Sequence, residues 1–213
     1  MIFRIRETLF MHVKNNLNRY FLLLLAFVIG ISAGAFTVNG LSSVQRDELT
    51  NYFQGFLQLL DSHSTDNTEL LKIALMENIR IIVVLWVLGV TIIGIPFIFV
   101  IISIRGFITG FSSAFIVKIF GLKGILFTLF TLFPKEVIVM PCIIALGVNG
   151  INFSLNIIKS KSNKHISKES LKSNFFAYCF VTFFFCSIIF TGILVEAYII
   201  PVFTRMMAPI IIN

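Results

Sequence analysis

The sequence predicts an all-α membrane protein that crosses a bilayer about five times, with its N-terminus inside and its C-terminus outside. Three observations carry that prediction. Of 213 residues, 57% are apolar and only 13% charged, with a mean hydropathy of +0.97; a soluble domain of this length needs more polar surface to cover its core. Several apolar stretches reach the roughly 20 residues that about 30 Å of hydrocarbon requires. The basic charge is concentrated, with Lys159, Lys161, Lys164, Lys168 and Lys172 sharing one short segment with a single acid, Glu169. That is the pattern of a cytoplasmic loop.

The formal charge of +7 therefore reads as a topology signal and a contact for anionic head groups. No basic face with interleaved aromatics sits on a soluble module, so a nucleic-acid partner is not expected. The expected surroundings are the lipid bilayer itself.

Residues 1–19 form an amphipathic arm: Ile5, Leu9 and Val13 share one helical face, and Arg4, Arg6, Lys14 and Arg19 supply charge. The first span covers 20–38. Ala26, Gly30 and Gly34 fall four apart along it, a stripe that lets a second helix approach closely. Such stripes are common in apolar helices, so the expected use is packing against another span of the chain, with a homo-oligomer left open.

Residues 39–78 form an external segment, rich in Asp and Glu. Leu49, Tyr52, Phe53, Phe56, Leu57 and Leu60 recur at helical period and predict an amphipathic helix over about 43–60, capped by Ser42 or Ser43. The second span is placed at 79–104, kinked at Pro96, with Arg105 closing it on the inner side. Residues 106–133 are long for one straight crossing and are interrupted at Gly121-Leu122-Lys123-Gly124, so a bent or broken third span is expected. Gly106, Gly110 and Ala114 continue a small-residue stripe, with Lys118 on the same side. Pro134-Lys135-Glu136 read as a solvated outer turn. A fourth span at 137–158, the Lys-rich cytoplasmic loop at 159–174, a fifth span at 175–198 and an external tail at 199–213 complete the chain. Both Arg105 and the Lys-rich loop lie inside in this scheme, so an even number of crossings must separate them, which counts 106–133 once.

Reactive chemistry finds little footing. No HExxH, GxSxG, Walker A or dinucleotide fingerprint occurs. His12, His63 and His165 fall on different sides of the membrane. Cys142, Cys179 and Cys186 lie in apolar runs without CxxC pairing and read as structural thiols. No catalytic residue, cofactor or metal is expected. Lys118 and Glu196 are isolated charges at or near membrane depth; Lys118 reads as a cation that snorkels towards an interface or pairs with a carbonyl near the helix break, and Glu196 as an interfacial carboxylate.

The string Arg105-Gly106-Phe107-Ile108-Thr109-Gly110-Phe111, followed by Gly121-Leu122-Lys123-Gly124 and Leu132-Phe133-Pro134, resembles the stage II sporulation protein M family. The resemblance extends over the basic start, the amphipathic helix after the first span, the total length and the five-span layout. Amide residues usually follow that proline in the family; here Lys135-Glu136 stand instead. The resemblance implies a bacterial endospore former and a non-enzymatic membrane scaffold at the mother-cell septum. There it would recruit sporulation proteins D and P, two peptidoglycan hydrolases, for engulfment of the forespore. Residues read as partner-binding or packing positions are Tyr52, Phe53, Phe56, Leu57, Gly30, Gly34, Gly106, Gly110, Arg105 and Lys118. The competing expectation is a membrane-spanning subunit of a transporter, suggested by the broken third span, the Gly and Pro within spans, and Lys118 at depth. Against it stand sparse intramembrane charge and the lack of an internal repeat.

Overall fold

The computed structural model describes residues 14, 16–62, 67–162, 168–204 and 206, and all regular structure among them is helical. In chain order the helices are α1 (Leu17–Thr37), α2 (Ser43–Ser62), α3 (Asn67–Val90), α4 (Gly94–Phe120), α5 (Leu122–Thr131), α6 (Phe133–Ser162) and α7 (Lys168–Leu194). A 3-10 turn, Val38–Gly40, ends α1, and a π-helical turn, Val195–Ile199, carries α7 on to Thr204. Five segments are long and apolar enough to cross a membrane: Leu17–Gly40, Thr68–Val90, Gly94–Phe120, Phe133–Ser160 and Lys172–Thr204. Most of the expected arm at 1–19, the turn at 63–66, the centre of the Lys-rich loop and the end of the tail lie outside the described residues.

The helices pack around α6. Its apolar window is 78% buried, against 22–33% for the other four, so α6 is the core and the rest are its shell. Ile143, Val148 and Val139 of α6 meet Leu23, Leu85, Ile98, Ile102 and Ile189 from α1, α3, α4 and α7. Helices α1 and α4 run parallel and in contact along their backbones. A Cβ added at Gly30 or Gly34 would lie 2.1 Å from the carbonyl oxygens of Ser103 and Phe107, and one at Gly106 or Gly110 would strike those of Phe27 and Ile31. Only glycine permits so close an approach, which Ser103 reinforces by donating to the Ala26 carbonyl.

The structure moves several boundaries. The turn after α3 lies at Thr91–Ile93, not at Arg105, so the segment 79–104 is not one helix. Pro96 causes no kink: it occupies the first turn of α4, where its missing N–H is no loss. Residues 106–120 complete α4, and the break falls at Gly121, whose φ of +58° is open to glycine at little cost. Helix α5 then folds back, Gly124 resting on the backbone of Ile116 and Val117. Pro134, Lys135 and Glu136 form no outer turn; they begin α6 within the bundle. The stretch 67–78, expected outside, belongs to α3, and part of the expected tail, 199–204, is helical.

Five helices of spanning length remain, and both termini of the Lys-rich loop return to the end of the bundle where α1 starts. There Arg19 donates to Asn152, and Ser154 donates to the Thr91 carbonyl. Trp86, Phe153, Phe175 and Tyr178 stack beside them, and the Tyr178 hydroxyl donates to the Trp86 carbonyl.

Candidate functional site

The depth of Arg105 is set by its neighbour α1, an unbroken apolar helix. Gly106 abuts Phe27 and Ser103 abuts Gly30, so Arg105 lies level with the middle of that span. Its side chain is 6% exposed. A guanidinium at that depth is expensive, about 2.5–3.5 kcal/mol on insertion scales, and it survives because two other helices bring carboxylates to it. From α3, Glu77 accepts a bond from Arg105 Nη1 at 2.8 Å; from α6, Glu136 stands 3.7 Å from Nη2. Thr109, one turn along α4, donates to the same Glu136 oxygen at 3.3 Å. Beside Glu136, Lys135 reaches to α7 and binds Glu196 at 2.5 Å, both groups being less than a fifth exposed.

Five charged side chains from α3, α4, α6 and α7 thus form one layer across the bundle. Desolvation makes the layer costly to form, but once formed, removing one member would strand its partner. Two cations serve three carboxylates, Glu77, Glu136 and Glu196, so the layer carries a formal surplus of one negative charge. Glu77 and Glu196 also line a common crevice of about 180 Å³ with Ile73, Ala74, Ile200 and Thr204. Lys135 and Glu196 form the floor of a larger cavity of about 380 Å³, walled by Phe111, Phe115, Phe127 and Ile200.

Helix α2 covers that cavity. Its start is a capping box: Gln45 N–H donates to the Ser42 hydroxyl and the Ser42 N–H donates to the Gln45 side chain. Phe53 turns inward and packs on Phe120 and Phe127 with ring centroids 5.9 and 5.8 Å apart. It therefore packs against the bundle, one of the two uses expected of it. Tyr52 is 80% exposed. The side chains of Phe56 and Leu57 lie outside the described ones.

The remaining expected positions fall in two places. Gly30, Gly34, Gly106 and Gly110 form the α1–α4 seam. Lys118, at the far end of α4, pairs with a carbonyl as one of the two expectations had it: it donates to the Val38 carbonyl at 3.1 Å and to Asn39 at 2.9 Å, closing the open end of α1. Arg105, expected at an interface, is the centre of the charged layer. Sequence reasoning missed Glu77 and the burial of Lys135, Glu136 and Glu196. The available signal was position: Glu77 and Lys135-Glu136 adjoin long apolar runs that hold few other charges.

A helical bundle with five helices long and apolar enough to cross a bilayer, joined by an ionic layer, has the build of a membrane protein. Residues 23–201 match the family model of stage II sporulation protein M, and the chain belongs to that family. It is accordingly a sporulation-related membrane protein. No curated protein and no solved structure matches the chain.

Proposed function

We propose that this protein is a non-enzymatic scaffold of the forespore-engulfment machinery. In this reading it recruits sporulation proteins D and P to the septal membrane of the mother cell. The observation that carries it is the family match over residues 23–201. The Lys-rich loop and the start of α1 share one end of the bundle, which the positive-inside rule assigns to the cytoplasm. Helix α2 then lies outside, with Tyr52 exposed at the mouth of the cavity that α2 covers, where extracytoplasmic partners work. Tyr52→Ser should reduce co-purification of both hydrolases while leaving the protein in the membrane; unchanged recovery would move the docking surface elsewhere. Orientation has its own check. A membrane-impermeant thiol reagent added outside should label Ser43→Cys and spare Ser160→Cys, and the reverse pattern inverts the topology.

One observation favours a second reading, a membrane-spanning transporter subunit. The charged layer at mid-depth is of the kind that substrate and ion pathways use. Ion or solute flux through reconstituted proteoliposomes that Arg105→Leu abolishes would establish it. Arrest at the septum, with tight bilayers in the flux assay, supports the scaffold.

A further inference from the structure

One face of α3 is open along the length of the bundle. Ile73, Met76, Arg80, Val83, Val87 and Val90 are all exposed on it and recur at alternating steps of three and four. That spacing is the a/d seam of a parallel helix pair. Arg80 interrupts it. At 1.5 Å per residue the arginine lies about 18 Å from Thr68 and about 15 Å from Val90, too far for its side chain to reach either end of the span. Among the described residues it forms no ion pair. One turn away on the same side, Glu77 is half-exposed, with only its Oε1 held by Arg105.

We propose that the chain forms a parallel, two-fold-symmetric dimer in the bilayer through this face of α3, with Arg80 of each copy paired to Glu77 of the other. The charges select a second copy as occupant. About an axis along the bilayer normal, a contact from Arg80 to Glu77 is necessarily repeated in reverse, so the face is complementary to itself. The exchange also keeps the charged layer balanced. Arg105, Lys135 and one Arg80 are three cations for the three carboxylates, so swapping Arg80 between copies leaves each layer neutral while giving Arg80 a partner across the interface. Lipid phosphates do not reach this depth. An acidic helix from a different protein would pair with Arg80 but bring Glu77 no cation.

The test uses the full chain in liposomes at low protein density. Single-molecule photobleaching of a C-terminal label should show two steps. In a background with Cys142, Cys179 and Cys186 replaced by Ala, mild oxidation should cross-link Val83→Cys between copies and leave Val100→Cys, on the lipid face of α4, uncoupled. Arg80→Leu should weaken association about tenfold, and Arg80→Lys should retain most of it. An intrachain cross-link between Ala26→Cys and Ser103→Cys reports that each variant is folded. Single-step bleaching of the unaltered chain overturns the proposal. So does an Arg80→Leu variant, folded by that control, that dimerises as well as the parent.

Discussion

The α1–α4 seam and the charged layer joining α3, α4, α6 and α7 solve one problem by opposite means. Lipid tails are as apolar as leucine, so burial alone does not drive helices together in a bilayer. The seam answers with removal: four glycines let two backbones touch, and dispersion over the contact does the holding. The layer answers with addition, placing charges where each is intolerable without its partners. The first arrangement fails when an atom is put in, the second when an atom is taken out.

That contrast sets the tests. The largest effect is expected at Arg105: Arg105→Leu strands Glu77 and Glu136 and should cost about 3–5 kcal/mol, measured by reversible unfolding in mixed micelles. Replacing Arg105, Glu77 and Glu136 together by Leu should recover most of that loss, because an apolar layer avoids the desolvation. If the triple variant is no better than the single one, the layer is not held by charge. At the seam, Gly34→Ala should cost about 1–3 kcal/mol, since its methyl meets the Phe107 carbonyl and a packed core resists added volume. A null result there would mean that α1 and α4 are farther apart than the structure has them. A double-mutant cycle on Lys135→Met and Glu196→Gln should give a coupling of about 1–2 kcal/mol, while the same cycle on Lys135 and Glu77 should give less. The smallest effect belongs to α2, where Ser42→Ala removes one arm of the capping box and should cost about 1 kcal/mol, read as faster amide exchange at its first turn.

The two regions also differ in how legible they were. Gly30 and Gly34 sit four apart in one helix, as do Gly106 and Gly110 in another, and such local spacing can be read along a chain. The capping serine and the Lys-rich loop are local in the same way. The charged layer is not. Arg105 is 28 residues from Glu77, and Lys135 is 61 from Glu196, so each charge looks isolated until the fold neutralises it. That is also why the second and third spans were misplaced. From Ile81 to Ile104 the chain carries no charge, and its turn at Thr91–Ile93 contains one hydroxyl, whereas Arg105 looks like an end. Charge in an apolar chain ordinarily marks the membrane surface, and here Arg105 lies level with the middle of α1.

The short turn at Thr91–Ile93 bears on how the protein enters the membrane in the first place. With almost no polar loop between them, α3 and α4 are delivered as one hairpin, and Glu77 meets Arg105 across it. Before that meeting α4 would carry Arg105 bare to mid-depth, and α3 would hold Glu77 beside Arg80 there. Insertion of this pair is therefore a single event: a chain truncated at residue 100 should leave α3 open to added protease, and one extended past residue 120 should protect it.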